Sequence, residues 1–494
     1  MGRFKIQASN LGLWLGPVAA ALLIFFDLDP TNPNVSRAAA VVIWMVIWWV
    51  TEALPLAVTA LLPVVLFPLM GVMSGKETSA AYFNDTVFLL IGGFIMALAM
   101  QKWDIHKRIS LRILSMLGSG PKSVLLGFML TTAVISMWVS NTATVLMVLP
   151  IALSTLLKLK DHYKNDNLTP LSSAIMLGIA YSAAIGGVAT LIGTPSNLIF
   201  ARVYSINFPT APEITFVGWM KYAFPFAVLF LALTWLILSK WFLKSSQKFK
   251  NGTGIFREEL NSMGRATFEQ KTVMSLFFLM IIFWLTRNPI DFGEFEIPGW
   301  SALLPVAAFI DDGTVAIAVS LLLFLIPSKS VRGEKIINWE TATQLDWGVV
   351  ILIGGGFAMA QGMENSGLSA WLGGKLHSLQ GTPDILIVLG LALLLTFMSE
   401  IASNTATAQL ALPIIAALSV TIGVHPLYLM APATLAVSNG FMLPVATPPN
   451  AIAYSTGFVK MTDMLKTGFL VNLTGVALIT LATYLILNLA FGVN

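Results

Sequence analysis

Two short polar runs stand inside long apolar stretches of this chain: Ser140-Asn141-Thr142 and Ser403-Asn404-Thr405. Polar side chains at membrane depth are expensive and need partners. Interrupting a helix there also frees backbone groups, which is tolerated only where protein or a water-lined cavity covers them. The carbonyls freed at one half-helix end suit a small cation, and the N–H groups freed at the other suit a carboxylate. Asn amides and Thr hydroxyls add donors for carboxylate oxygens. One such run reads equally well as glue between helices. Two at matching repeat positions favour a ligand site at the bilayer midplane.

A second pair of motifs has the same logic: Gly193-Thr194-Pro195-Ser196-Asn197 and Ala446-Thr447-Pro448-Pro449-Asn450. Proline removes a backbone donor and clashes with the preceding turn, so each Thr-Pro is expected to unwind a helix facing a hairpin tip. A single Thr-Pro would read as a kink; the repetition, with Asn at the same spacing, favours function. No lysine, arginine or histidine falls inside the four motifs. A dianion held by neutral amides and hydroxyls would leave uncompensated charge in a low-dielectric site. A co-bound cation removes that difficulty, which points to Na⁺. Glu400 precedes the second polar run, whereas the matching region of the first copy is Ser136-Met137-Trp138. Glu400 is read as a local orienter or interface group rather than a proton carrier. Glu52 is read as solvated near a helix end, and Asp311-Asp312-Gly313 as a turn rather than a metal site.

The elements that hold these motifs follow from hydropathy. The chain has 494 residues, 56% hydrophobic and 11% charged, where a soluble domain carries about a quarter charged. Such a surface cannot be kept wet, so the chain belongs in lipid. The expectation is an all-α polytopic membrane protein with about eleven transmembrane helices, near 11–28, 37–52, 55–73, 84–101, 173–203, 216–243, 272–287, 301–326, 346–363, 428–459 and 466–491. The first is read as a span and not a removed signal peptide, because no small-residue cleavage site follows it. Two further stretches, 122–157 and 385–420, are broken by the polar runs and read as re-entrant hairpins of two half-length helices.

An internal repeat organises these spans. LLIGGFIMALAM (89–100) resembles ILIGGGFAMAQGM (351–363), VSNTATVLMVLPIA (139–152) resembles ASNTATAQLALPII (402–415), and ATLIGTPSN (189–197) resembles LPVATPPN (443–450). The expected parts are scaffold helices 1–83, a first repeat 84–243, a basic cytoplasmic linker with scaffold helices 244–345, and a second, inverted repeat 346–494. Inverted repeats are common in carriers that alternate their access. Basic residues place the N-terminus inside through Arg3 and Lys5. They also place inside Lys102, Lys107, Arg108 and Arg112; Lys122, Lys158, Lys160 and Lys164; the 240–271 loop with Lys240, Lys244, Lys248, Lys250, Arg257, Arg265 and Lys271; and Lys329, Arg332 and Lys335. The C-terminus then falls outside.

Several classes of function are excluded. The formal charge of +4 sits in short loops, which argues against a nucleic-acid partner. No cysteine occurs, so disulfides and thiolate metal sites are ruled out. His106, His162, His377 and His425 are scattered, and there is no HExxH, no nucleophile paired with a base and no Walker A motif. This is not the sequence of an enzyme. An ion channel would need a continuous pore lined by rings of like residues, which the sequence lacks.

The paired motifs, with TEALPLAVTALLP at 51–63, resemble the divalent anion–sodium symporter family, also called the INDY or dicarboxylate carrier family, over almost the whole chain. The resemblance implies a homodimer in the cell (inner or plasma) membrane, each protomer with a scaffold part and a transport part that slides across the bilayer like an elevator. It implies secondary active transport of small dicarboxylates such as succinate, malate, fumarate or α-ketoglutarate, with citrate or sulfate in some members. By motif position, Asn141, Thr142, Thr194, Asn404, Thr405 and Thr447 would contact substrate carboxylates, and Pro195 and Pro448 would shape the pocket. One Na⁺ site would use Ser136, Ser140, Asn141 and Gly193. The other would use Ser399, Ala402, Ser403, Asn404 and Ala446. No cofactor is implied beyond Na⁺ as coupling ion. Some members exchange dicarboxylates without sodium, and the motifs do not separate that mode from symport; an anion channel is the more distant alternative.

Overall fold

The computed structural model describes residues 2–118, 120–162, 168–243, 252–291 and 296–492. Among them, Lys160 and the expected inside residues Arg3 and Lys5 are described by their backbone only. Lys164, Lys244, Lys248 and Lys250 lie outside the described residues, as do the chain ends Met1 and Asn494 and the expected boundary at 244.

Apolar helices α1 (Gly2–Phe26) and α2 (Pro33–Thr51) pack along each other. Pro33 opens α2 behind an Asn32 cap, and Glu52 closes it in the left-handed region at φ 48°. The span expected at 55–73 is two pieces, α3 (Leu56–Thr59) and α4 (Leu62–Met70). Pro63 cannot continue the preceding turn but is well suited to a helix start, so the helix restarts at Leu62. A Ser74–Glu77 capping box opens α5 (Gly75–Tyr82), and an Asn84 cap opens α6 (Asp85–Lys102). Helix α7 (Ile105–Met116) lies where a basic loop was expected. It buries Ile105, Ser110, Leu111 and Leu114 on one face, a 3.6-residue pattern too polar for a hydropathy pass to register.

Both expected hairpins are helix–break–helix units. Helices α8 (Pro121–Ser136) and α9 (Asn141–His162) flank the first polar run. Their second arm has 22 residues, about 33 Å of helix, so it is not the half-length arm expected. Next come α10 (Thr169–Gly187), α11 (Pro195–Asn207) and α12 (Phe216–Phe242), then the polar α13 (Gly252–Ser262) in the expected basic loop and α14 (Phe268–Leu285). A two-residue antiparallel pair joins Ile290–Asp291 to Glu296–Ile297. The span expected at 301–326 is helical in one run only as α15 (Asp312–Leu325), preceded by 3₁₀ turns. Asp311 sets its start by accepting the Thr314 N–H at 2.6 Å.

After the short α16 (Trp339–Ala342), the second copy repeats the element order of the first: α17 (Trp347–Asn365), α18 (Leu368–Lys375), α19 (Asp384–Met398), α20 (Asn404–Ile422), α21 (Pro426–Ala436), α22 (Pro448–Ser455) and α23 (Met461–Leu485), with α24 (Leu487–Phe491) closing the chain. Nine helical segments of the described residues are apolar and at least 18 residues long, against about eleven expected. The segments expected at 55–73, 301–326, 346–363 and 428–459 are not among the nine, and the long arms α9 and α20 are.

The two copies interlock. Helix α10 packs on α8, α9 and α22, while α11 packs on α20, α21 and α17. The break between α10 and α11 therefore lies between the two helix–break–helix units, as does the break between α21 and α22. Basic segments expected on one face do meet: Lys102 pairs with Glu334 at 3.2 Å, Arg108 bonds Gln270 and the Gly264 carbonyl at 2.9 Å, and Lys158 pairs with Glu259 at 3.4 Å.

Elsewhere, Asp311-Asp312-Gly313, expected as a turn, is the cap and first residues of α15, and Asp312 is also a buried ion-pair partner. The Arg287 Nε and Asp312 Oδ1 lie 2.7 Å apart, each residue 5% exposed. Arg287 also donates to the Ile310 carbonyl at 2.7 Å and reaches Glu213 at 3.4 Å. Three separate nitrogens of one planar fork reach these three partners, a spread that a single ammonium nitrogen lacks. Arg287→Lys is expected to cost about 1–3 kcal/mol, read as a lower melting temperature of the purified protein with its transport rate retained at low temperature.

Candidate substrate and cation site

The first centre forms where α8 ends. The Ser136 hydroxyl lies 2.7 Å from both the Asn141 Oδ1 and the Ala183 carbonyl of α10. The break at 188–194 folds back over it. A Cβ on Gly193 would stand 2.4 Å from the Gly187 carbonyl and 2.9 Å from that of Ser136. One on Gly187 would stand 2.4 Å from the Asn141 Oδ1. Ser136, Asn141, Gly187 and Gly193 thus crowd oxygen atoms into a space that admits no side chain.

The second centre is arranged alike, but Ala446 stands in place of Gly193 and its serine and asparagine are not joined. A Cβ on Gly440 would meet the Ser399 carbonyl at 3.1 Å and the Ala446 Cβ at 3.2 Å. Ser399 donates its hydroxyl to the Thr396 carbonyl at 2.8 Å. The Asn404 Oδ1 is buried and accepts no hydrogen bond among the described residues. A buried acceptor without a donor is costly unless a ligand completes it. An alkali cation fits it, since such ions take oxygen ligands, and the Ser136–Asn141–Gly193 oxygens are of the same kind.

All four motifs open helices: Asn141 starts α9, Pro195 starts α11, Asn404 starts α20 and Pro448 starts α22. This corrects the expected role of the prolines. Helix α10 ends at Gly187 and α21 at Ala436, well before Pro195 and Pro448. The prolines occupy the first turn of the next helix, where a missing N–H costs nothing. First-turn N–H groups lack intrahelical partners and carry the positive end of the helix dipole. With α11 on α20 and α22 on α9, an anion site can be built without a basic side chain.

The remaining candidates sit around these two centres. Thr194 and Thr447 occupy the cap positions of α11 and α22. The Thr447 hydroxyl accepts the Asn450 N–H at 3.3 Å, whereas the Thr194 hydroxyl is 3.5 Å from that of Ser196. Ser140 accepts the Ala143 N–H at 3.4 Å. Thr142, Ala402, Ser403 and Thr405 are half-buried at the breaks, and among the described residues no hydrogen bond joins their side chains to the other candidates. The two copies touch directly where the Ser196 and Ser438 hydroxyls meet at 3.0 Å. Sequence reasoning missed Gly187 and Gly440, although each stands seven residues before its motif threonine.

Glu400 is the orienter expected. Its carboxylate accepts the N–H groups of Phe441, Met442 and Leu443 at 2.7, 2.9 and 3.0 Å and the Asn472 amide at 2.7 Å. In the first copy Met137 occupies the corresponding place, and its carbonyl accepts the Thr190 hydroxyl.

A helical bundle with interlocked repeats, oxygen-lined breaks and helix N-termini at its centre is a membrane transporter, not an enzyme. The chain belongs to the sodium:sulfate symporter family, whose transmembrane-region model matches residues 14–490. It is 41% identical to the sodium-dependent dicarboxylate transporter SdcS of Staphylococcus aureus over 491 residues, 98% of this chain and 92% of that one. The SdcS of Staphylococcus saprophyticus is 40% identical over the same extent. Among solved structures, Neisseria gonorrhoeae MtrF, of a class described as antimetabolite efflux pumps, shares the fold with a TM-score of 0.54, at 14% identity over 84% of this chain and 83% of that one.

Proposed function

We propose that this protein is a Na⁺-coupled symporter of small dicarboxylates such as succinate, malate, fumarate or α-ketoglutarate in the cell membrane. The observation that carries the reading is the unpartnered Asn404 Oδ1 at the start of α20, beside helices whose N-termini face no basic side chain within the motifs. The naming of relatives 41% and 40% identical as sodium-dependent dicarboxylate transporters supports the substrate class. Cations sit at Ser136, Ser140, Asn141 and Gly193 and at Ser399, Ala402, Ser403, Asn404 and Ala446. They offset the substrate's charge, and Asn141, Thr142, Thr194, Asn404, Thr405 and Thr447 bind its carboxylates beside Pro195 and Pro448.

The protein works as a homodimer with a cytoplasmic N-terminus and an outside C-terminus. The two helix–break–helix units re-enter from opposite faces, and they and the unwound helices form the transport part of an elevator. The test is labelled succinate uptake into proteoliposomes. An inward Na⁺ gradient with an empty lumen is expected to drive accumulation. Uptake that ignores Na⁺ and needs internal dicarboxylate would replace symport with exchange.

A further inference from the structure

We infer that Asn197 and Asn450 are positioning residues that hold the two unwound segments in their ligand-binding shape, one for each cation centre. The inference rests on the symport reading above. The Asn197 amide donates to the Thr190 carbonyl at 2.7 Å and lies 3.3 and 3.4 Å from the carbonyls of Val188 and Gly187. The Asn450 amide donates to the Gly440 carbonyl at 2.9 Å and the Leu443 carbonyl at 3.1 Å. The correspondence is residue by residue: Gly187 matches Gly440, Thr190 matches Leu443 and Asn197 matches Asn450, each pair offset by 253. Both asparagines are buried, at 0% and 1% exposure.

Breaking a helix frees carbonyls that must find donors when buried. In each copy one side-chain amide, from the first turn of the following helix, supplies them. The amide orientation is fixed by its surroundings, because an oxygen turned toward several carbonyls would be repelled. The bridge closes each break into a loop. That loop sets Gly193 against the Gly187 and Ser136 carbonyls, and sets Gly440 against Ser399 and Ala446. In this role the asparagines act by their N–H₂ groups, through the backbone they hold. Thr190 and Leu443 share no side-chain chemistry, so it is the carbonyl at that place that the amide recognises.

The test compares Asn197→Ala, Asn197→Asp, Asn450→Ala and Asn450→Asp with wild type and with Asn207→Ala. Asn207 donates to the Val203 carbonyl of its own helix at 2.8 Å, so it controls for the loss of an ordinary amide bond. Melting temperature in choline reports folding, and the Na⁺ dependence of succinate uptake reports the cation centres. Folded variants at either position are expected to need about tenfold more Na⁺ for half-maximal uptake, with Asn207→Ala unchanged. An unchanged Na⁺ requirement in folded variants would overturn the inference. So would failure of all four to fold while Asn207→Ala folds, since the amides would then serve stability alone. If wild-type uptake ignores Na⁺, symport itself fails; the succinate half-saturation in counter-flow then decides, raised values supporting the positioning role and unchanged ones overturning it.

Discussion

Asn404→Ala is expected to reduce Na⁺-driven uptake at least about a hundredfold while leaving the protein folded. Ordinarily a buried polar deletion exposes the partner left behind, and that penalty dominates. Here the Oδ1 has no protein partner among the described residues to strand, so the melting temperature without ligand should hardly move. What is lost is an oxygen for the ion and, through the same amide, a donor for the substrate. Two charge-assisted contacts at about 1.5–3 kcal/mol each give the hundredfold. Asn141→Ala should abolish uptake as well, but its Oδ1 is engaged with Ser136, so some stability should go with it. The contrast is diagnostic: inactive and stable at 404, inactive and softened at 141. Wild-type uptake by Asn404→Ala would remove the second cation centre from the mechanism.

The breaks were legible because their signal is local. A polar triplet in an apolar run and a Thr-Pro pair are visible within five residues, and duplication strengthened both. What the breaks do with their backbone was not legible. The prolines suggested unwinding at the wrong place, since a proline that starts a helix and one that disrupts it look alike until the end of the preceding helix is known. Partners distant in sequence stayed hidden for the same reason. Nothing near Asp312 announces Arg287, and nothing near Glu400 announces Asn472. Helices α7 and α13 were read as loops because the charged residues on their polar faces, basic in α7 and mostly acidic in α13, outweigh the apolar ones in any hydropathy average. Some of the basic segments nevertheless meet, Lys102 reaching Glu334 and Lys158 reaching Glu259.

Glu400 separates the two copies, and its removal should be the most damaging single change in the second. Three consecutive N–H groups, those of Phe441, Met442 and Leu443, converge on one carboxylate together with the Asn472 amide. Such a backbone nest favours an anion. With all four donors engaged, the carboxylate is committed to shaping the 437–447 segment, which delivers Ala446 and Thr447 to the site. Glu400→Ala leaves those buried donors empty at about 1–3 kcal/mol each. It should cost at least about 4 kcal/mol, seen as a large fall in melting temperature, and should abolish uptake. Glu400→Gln retains one oxygen for Phe441, Met442 and Asn472 but turns an N–H₂ toward the Leu443 N–H. It should therefore fold more stably than Glu400→Ala and still transport poorly. A glutamine variant that melts and transports like wild type would show that the negative charge is dispensable, and that shape alone holds the second break as Thr190 helps to hold the first.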